Sequence, residues 1–371
     1  MVTLDPADPL GLPFLDAVTA SISRFLDGQD GTLTALSPEL APVAHRARQF
    51  TSGGKRLRPA FCAWGYLAVG GGLTLPTAVT TAASSLDLLH VSALIHDDVM
   101  DASDQRRGIP TAHRQFEADH RSAGWRGDAS AFGRAAAILL GDLLLVWSEE
   151  MLRHSGLAAD ALTRAQEHLD AVRTEVTAGQ YLDIVAQAHD PVTLSGTMAG
   201  KATLLDVIRR VVTWKSAAYT VRRPLLLGAA LAGGSAEQAA ALAAFGEPLG
   251  RAFQYQDDLL GVFGTTQVTG KETGEDLREG KLTLLIAEGF AAATSTEADE
   301  LGSLLGHPGL THDDVDRART ILEQCGARSA VEAEIEREFD AALQALDGVD
   351  LSAAGRRGLR ELANRAVRRD H

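Results

Sequence analysis

Apolar positions recur along most of the chain at the three-to-four-residue spacing of amphipathic helices, and no window alternates as a strand would. The spacing predicts long uninterrupted helices over residues 77–100, 132–154, 160–187, 199–232 and 236–261. It also predicts an amphipathic helix near 14–25 and another over 59–69, with Pro59 in the first turn. The pattern therefore predicts one all-α helical bundle whose long helices carry polar clusters inward.

Glycine-rich and polar stretches predict where the helices stop. Breaks are expected around 28–31, at Gly53–Gly54 and at 70–72. Residues 103–130 are rich in Asp, Arg, Gly and Ser and predict a long loop, and 262–280 predict a second functional loop. No linker separates two folding units, so residues 1–30 are expected to form an N-terminal arm and 31–371 a single domain.

Composition narrows the class of protein. The 371 residues are 45% hydrophobic and carry a net charge of -14, which disfavours nucleic acid and anionic membrane as partners. Cys62 and Cys325 are too few for a disulfide framework, and the N-terminus lacks the pattern of a signal peptide. The apolar stretch 135–147 is interrupted by Asp142 and too short to span a bilayer. A soluble cytoplasmic protein, without integral membrane association, is predicted.

Two carboxylate clusters lie inside otherwise apolar helical stretches. Asp97, Asp98 and Asp101 fall in LIHDDVMD, and Asp257 and Asp258 fall in FQYQDDLLG. Residues four apart share a helix face, so Asp97 and Asp101 would project the same way, and a cation between them would relieve their repulsion. Mg²⁺ binds through a few carboxylates and shares its shell with substrate phosphates. The clusters therefore predict a site that holds a diphosphate through metal ions.

The basic residues support the same chemistry. Lysine occurs at five positions, most of them beside glycine breaks or acidic clusters: Lys55, Lys201, Lys215, Lys271 and Lys281. Lys55 precedes a helix start, where free backbone N–H groups favour anions. Arg106 and Arg107 follow the first acidic cluster within one loop. Each of these residues taken alone could be ordinary surface charge, but their placement together favours phosphate binding.

Three segments, taken in order, resemble the trans-isoprenyl diphosphate synthases. They are GGKRLRP, LLHVSALIHDDVMD followed by RRGIPT, and FQYQDDLLG followed by GKETGEDLREGKLT. The chain is most similar to bacterial members that make geranylgeranyl diphosphate. The resemblance implies an isoprenoid-synthase helical bundle around a central active-site cavity, acting as a homodimer. It also implies Mg²⁺-dependent condensation of isopentenyl diphosphate with allylic diphosphates such as dimethylallyl, geranyl and farnesyl diphosphate.

The same resemblance assigns roles residue by residue. Asp97 and Asp101 would ligate two Mg²⁺ ions and Asp257 a third, supported by Asp98 and Asp258. The allylic diphosphate would contact Arg106, Lys215 and Lys271, and the isopentenyl diphosphate would contact Lys55, Arg58, His90 and Arg107. Ser216 and Gln254 would direct dipoles at the developing allylic cation. Lys281 and, with Asp183 in GQYLD, Gln180 would complete the substrate-binding set.

Two departures from the family pattern concern the second acidic motif. Its third Asp is commonly present in the family, but here the position is Gly261, and an Asp expected near Thr265 is also missing. The third metal site is therefore expected to be a variant of the family's, held mainly by Asp257.

Small residues precede the first aspartate of the first motif. Ser92 and Ala93 stand where a bulky aromatic limits family products to fifteen carbons. At about 1.5 Å per residue, Leu86 lies roughly 16 Å below Asp97, so Leu89 and Leu86 would form the floor of the prenyl channel. This predicts geranylgeranyl diphosphate as the product.

Three alternatives remain open from the sequence. A longer-chain polyprenyl or a farnesyl diphosphate synthase would share the mechanism. A class I terpene cyclase of related fold would not need the isopentenyl-binding GGKRLRP and His90, and a non-catalytic partner subunit would be expected to lack an acidic cluster. A further acidic run, THDDVDRA, is predicted to be structural, because Thr311 suits a helix N-cap.

Overall fold

The structure is a computed structural model that describes residues 1–106, 108–264, 274–307 and 309–368. Its regular structure is almost entirely helical. The helices are α1 Leu12–Leu36, α2 Ala41–Thr51, α3 Leu57–Gly70, α4 Thr77–Met100, α5 Ala112–Ser122, α6 Ala129–Arg153, α7 Ala159–Gln187, α8 Pro191–Ser195, α9 Met198–Val211, a π-helix Val212–Arg222, α10 Arg223–Leu231, α11 Ala236–Phe263, α12 Glu275–Arg278, α13 Leu284–Ala292, α14 Ser295–Leu304, α15 His312–Gln324, α16 Ala327–Ala345 and α17 Ala353–Val367. The prediction of an all-α fold is confirmed.

The described residues also form four strands of two residues each. Strand β1 (Val2–Thr3) pairs antiparallel with β2 (Thr74–Leu75), and β3 (Gln105–Arg106) pairs antiparallel with β4 (Ile109–Pro110). The first pair ties the N-terminus to the segment before α4. The second forms a hairpin directly after the first acidic motif, and therefore fixes the path of the chain that carries Arg106.

The chain divides into two compact units. The first comprises Met1–Leu169, Pro224–Ala239 and Asp350–Leu362, and the second Asp170–Arg223, Ala240–Val349 and Ala363–His371. In the first unit α4 packs against α1, α3 and α6. In the second unit α13 packs against α9 and α16. Each acidic motif lies near the C-terminal end of a long helix, α4 in the first unit and α11 in the second.

The prediction of a break at 28–31 is wrong, because α1 continues through both glycines. Gln29 and Leu33 are buried in phase with Ile22 and Leu26, and the Gln29 amide donates to Glu150 at 2.8 Å. Glycine inside a helix costs only about 0.5–1 kcal/mol relative to alanine. Burial of one continuous face outweighs that cost.

The prediction of a long loop over 103–130 is also wrong in part, because this segment contains β3, β4 and α5. Helix α5 is polar in composition, yet it buries His113, Phe116 and His120. A Cβ on Gly133 of α6 would lie 3.0 Å from the Cβ of Glu117. Helix α5 therefore packs closely against α6 at this glycine, and this contact explains why the polar segment 112–122 is helical.

One local prediction is confirmed, and a buried cysteine adds to the scaffold. Thr311 caps α15, where its hydroxyl accepts from the Asp314 N–H and the Asp314 carboxylate accepts from the Thr311 N–H. Cys62 is a core residue with no exposed surface, and its burial raises the pKa of the thiol. These residues therefore belong to the scaffold.

Within the described part of the chain, α4 and α6 are each long and apolar enough to cross a membrane by length and composition alone. The most apolar window of α4 is 72% buried, as expected of a core helix. That of α6 is only 28% buried, so α6 presents an apolar surface outward.

Candidate active site

The first acidic motif occupies the end of α4. The Asp101 N–H closes the helix by donating to the Asp97 carbonyl at 2.8 Å, and Ala102 then turns the chain with a φ of 54°. Asp98 is 1% exposed, whereas Asp97 and Asp101 are half-buried. Helix periodicity thus turns Asp98 into the core and leaves Asp97 and Asp101 on the accessible face.

Arg106 is bound to this motif by the hairpin that follows it. Its guanidinium donates to Asp98 Oδ1 from Nε at 2.7 Å, and a terminal nitrogen lies 2.6 Å from the same oxygen. A terminal nitrogen also lies 4.0 Å from Asp97 Oδ2. Asp98 therefore orients Arg106 beside the accessible carboxylate of Asp97. Arg107 lies outside the described residues.

The GGKRLRP segment is an unusually folded turn before α3. Gly53, Gly54 and Arg56 have φ values of 74°, 93° and 51°, so Arg56 holds a conformation that favours glycine. Its buried guanidinium donates to Asp87 Oδ2 on α4 at 2.6 Å and to the Thr51 carbonyl at 2.9 Å. These bonds fix the turn so that Lys55 is exposed and Arg58 half-buried. Sequence reasoning missed both Arg56 and Asp87.

His90 lies on α4 three residues beyond Asp87 and is half-buried. Residues three apart share a helix face, so His90 projects from the face that anchors the turn. The basic turn and His90 thus belong to one local structure in the first unit.

In the second unit, Lys215 forms an ion pair with Asp183 of α7 at 2.6 Å between Nζ and Oδ2. Lys215 and Ser216 lie in the π-helix, so the prediction of an uninterrupted helix over 199–232 is wrong. At two glycines, Gly179 of α7 and Gly250 of α11, the backbone of another helix packs directly against the π-helix. A Cβ on Gly179 would lie 2.7 Å from Lys215 Cα, and one on Gly250 would lie 2.7 Å from the Ala217 carbonyl oxygen. π-Helical turns are frequent at functional sites, and Gln180 follows Gly179 as a half-buried residue.

The second acidic motif pairs one accessible and one buried carboxylate. Asp257 is half-buried, while Asp258 is 6% exposed and accepts from the Gln254 amide at 2.7 Å. Burial raises the pKa of Asp258 to about 8, and the neighbouring Asp276 and Asp257 add to the rise, while Gln254 opposes it. The motif therefore crowds carboxylates that a cation would stabilise in their charged form.

Lys281 follows α12 and lies beside the same carboxylates. Its ammonium contacts Glu279 at 2.6 Å and lies 3.9 Å from Asp276 Oδ1. Lys271 and Thr265 lie outside the described residues. Among the described residues, Lys281 is thus a cation close to Asp276, which itself neighbours Asp258 of the second motif.

The donors of both motifs fit Mg²⁺ in kind, because they are hard carboxylate oxygens. Among the residues that the structure describes, no three His, Cys, Asp or Glu side chains are grouped to hold one ion. Mg²⁺ commonly keeps several waters and is bound through one or two carboxylates plus substrate phosphates. The residues present therefore fit an ion that arrives with a diphosphate.

The all-α chain carries two aspartate-rich helix ends, with Arg106 bound to Asp98 of the first and Lys281 close to Asp276 beside the second. These are features of a metal-dependent enzyme acting on diphosphates. Residues 42–322 match the sequence profile of the polyprenyl synthetases. The chain belongs to the polyprenyl synthetase family.

Individual relatives agree with this assignment. The crystal structure of geranylgeranyl pyrophosphate synthase from Corynebacterium glutamicum, complexed with isoprenyl diphosphate and magnesium, is 38% identical with a TM-score of 0.88, covering 96% of this chain and 99% of that one. Geranylgeranyl diphosphate synthase of Methanosarcina mazei is 31% identical over 80% of this chain and 82% of its own. Geranylfarnesyl diphosphate synthase of Aeropyrum pernix is 32% identical over 76% of this chain and 79% of its own.

Proposed function

We propose that the protein is a Mg²⁺-dependent prenyltransferase that condenses isopentenyl diphosphate with allylic diphosphates to make (all-E)-geranylgeranyl diphosphate. The observation that carries the proposal is the cation beside each acidic motif, Arg106 on Asp98 and Lys281 near Asp276. Carboxylates with adjacent fixed cations suit a metal-bound diphosphate that leaves as an anion. The similarity to geranylgeranyl diphosphate synthases supports this substrate class.

Three sets of side chains would act on three parts of the reaction: the leaving diphosphate, the acceptor isopentenyl diphosphate and the allylic cation. Asp97, Asp101 and Asp257 would hold three Mg²⁺ ions, which when bound neutralise the diphosphate and ease cleavage of the allylic C–O bond. Arg106 and Lys215 would bind its remaining oxygens, and Asp183 holds the Lys215 ammonium in place. Lys55, Arg58 and His90 would bind isopentenyl diphosphate at the turn that Arg56 fixes. Gln254 and Ser216 would direct dipoles at the allylic carbon as positive charge develops.

A product-length assay tests the proposal. Purified protein would be incubated with Mg²⁺, isopentenyl diphosphate and each allylic starter separately, and the dephosphorylated products separated by chain length. A dominant twenty-carbon alcohol is expected. Longer alcohols would identify a longer-chain synthase, the alternative that the geranylfarnesyl diphosphate synthase relative favours. A hydrocarbon released from an allylic diphosphate alone would identify a cyclase, and no turnover with any starter would favour a non-catalytic subunit.

Ser92→Phe is expected to shorten the product. Ser92, Leu89 and Leu86 are buried on α4, and Ala93, one turn before Asp97, is half-buried. A phenyl ring at 92 would fill space that we propose the prenyl tail crosses, so fifteen-carbon alcohol should replace the twenty-carbon alcohol in the same assay. Ser92→Ala, which adds no bulk, is the matched control. An unchanged product from the Phe variant, with normal folding, would refute this account of chain length.

We further propose that the enzyme is a homodimer joined through α6. Ile138, Leu139 and Val146 are 44%, 63% and 60% exposed on this helix. The Asp142 side chain, 57% exposed in the midst of them, argues against burial of this face in lipid. Sedimentation equilibrium should give twice the chain mass for the wild type and the chain mass for Leu139→Glu. A monomeric wild type would contradict the proposed dimer.

We also propose a cytoplasmic location for the enzyme. Its two cysteines, Cys62 and Cys325, are free thiols, which supports a reducing compartment.

A further inference from the structure

Thr111 occupies the N-cap position of α5, yet its hydroxyl is directed away from that helix. A threonine at an N-cap commonly accepts a hydrogen bond from a backbone N–H in the first turn. Within the described chain, the Thr111 side chain makes no such bond. Its hydroxyl instead donates back along the sequence to the Ser103 carbonyl at 2.8 Å. Thr111 has no exposed surface, so water does not compete for this bond with the segment before α5.

His113 fixes the direction of the Thr111 hydroxyl. The Thr111 Oγ1 lies 3.2 Å from His113 Nδ1. A hydroxyl has one proton, and a carbonyl can only accept, so the proton points to Ser103 and Oγ1 accepts from the ring. Burial lowers the pKa of His113, and the neighbouring Arg114 adds to the effect. The neutral ring therefore carries its single N–H on Nδ1, facing Thr111.

The segment that Thr111 holds is the hairpin that carries Arg106. Ser103, whose carbonyl accepts from Thr111, donates its own N–H to the Asp98 carbonyl at 3.0 Å. Arg106 of β3 donates to Asp98 Oδ1 at 2.7 Å. The Thr111 N–H also donates to the Asp104 carbonyl at 3.1 Å, which joins the two ends of the hairpin. A continuous path of hydrogen bonds thus runs from the start of α5 to the first acidic motif.

Two other side-chain contacts between α5 and the hairpin lie at the surface. The Gln115 side chain donates to the Pro110 carbonyl at 2.7 Å, and Arg114 pairs with Asp104 at 2.6 Å. Exposed polar contacts of this kind contribute little, because water competes for both partners. Of these three contacts, the one made by Thr111 is therefore the one that best fixes the position of the hairpin.

We propose that Thr111 is a positioning residue for Arg106. Its hydroxyl would hold the hairpin where the Arg106 guanidinium meets Asp98 and lies beside Asp97. Thr111 is buried behind the hairpin and acts through Arg106 rather than on the ligand. The proposal rests on the proposed function for the role of Arg106, which is to bind the diphosphate that Mg²⁺ holds.

Variants that separate the Thr111 hydroxyl from its shape, made in the full-length protein, test the proposal. Thr111→Val removes the hydroxyl and keeps the shape, whereas Thr111→Ser keeps the hydroxyl. Thr163→Val is the matched control, because the Thr163 hydroxyl donates to the Ala159 carbonyl on an exposed face of α7. Inorganic diphosphate would be titrated calorimetrically into each protein with and without Mg²⁺. The readout is the Kd of the diphosphate that binds only when Mg²⁺ is present.

We expect Thr111→Val to raise that Kd about 3- to 10-fold, the range for loss of one hydrogen bond. Thr111→Ser and Thr163→Val should stay within about twofold of the wild type, since neither removes a buried hydroxyl.

A double variant tests whether Thr111 acts through Arg106. Arg106→Lys keeps a cation beside Asp98 but loses the guanidinium that the hairpin positions. In this background Thr111→Val should change the Kd by less than about twofold, because residues that act as one unit are not additive. A merely structural role for Thr111 predicts the same loss in both backgrounds.

Three results would overturn the proposal: a wild-type Kd in Thr111→Val, a Thr111→Ser variant as weak as Thr111→Val, or an undiminished effect of Thr111→Val beside Arg106→Lys. If Thr111→Val does not fold, as judged by circular dichroism, Thr111→Cys replaces it with the same expected rise, since a thiol is only a weak donor. Because the readout is diphosphate binding without turnover, failure to make a prenyl product would refute the proposed function without altering this result.

Discussion

Asp97→Ala should reduce kcat/KM for prenyl transfer by roughly 10²–10³-fold, the scale of losing one preorganised electrostatic contact to a developing anion. Asp97 is half-buried at the end of α4, whereas the adjacent Asp98 is buried and bound by Arg106. Of these two neighbours, Asp97 is therefore the better placed to meet an incoming cation. Steady-state rates at several Mg²⁺ concentrations would measure the loss, which excess Mg²⁺ should restore only partly.

Asp104→Asn is the matched control for this experiment. Asp104 lies in the loop after the motif, its side chain is 73% exposed, and it pairs with Arg114 rather than with the motif. Removing its charge should change kcat/KM by less than about twofold, because an exposed pair contributes little. Equal losses in Asp97→Ala and Asp104→Asn would mean that net charge, not ligation, is responsible. Wild-type activity in Asp97→Ala would remove Asp97 from the proposed metal site.

Local patterns in the sequence located most of the long helices between residues 77 and 263. Helix 77–100 was predicted with the bounds that α4 has, because its apolar spacing is continuous and Pro76 marks its start. Helix α5 could not be predicted in this way, since its helicity depends on contact with Gly133 of α6. The π-helix is also a tertiary effect, because Gly179 and Gly250 approach it from other helices. Propensity and period carry no information about such contacts.

In the candidate site, too, the sequence revealed local features but not the contacts between distant residues. Clustered aspartates and lysines beside glycines are visible in the sequence, and they identified both acidic motifs. Their partners were not visible, because Lys215 meets Asp183 across 32 positions and Arg56 meets Asp87 across 31.

The buried pair of Arg56 and Asp87 should be the costliest ion pair to break among those described in the first unit. Their side chains are 5% and 6% exposed. Asp87→Ala would leave the guanidinium buried with only the Thr51 carbonyl to replace its lost partner, so the free energy of unfolding should fall by about 3–5 kcal/mol. Urea unfolding followed by circular dichroism would measure it. A loss below about 1 kcal/mol would show that the pair behaves as a solvated one.

Removing both charges separates the stability of the pair from its role at the turn. The double variant Arg56→Met with Asp87→Leu should regain much of the lost stability, because neither side chain then carries a buried, unpaired charge. It should still show a raised KM for isopentenyl diphosphate, since the bonds that hold Arg56 at a φ of 51° are gone and Lys55 and Arg58 lose their fixed support. An unchanged KM in a stable double variant would mean that the glycines alone shape this turn. A KM that rises only in the unstable single variant would lead to the same conclusion, so the pair would then serve folding and not substrate binding.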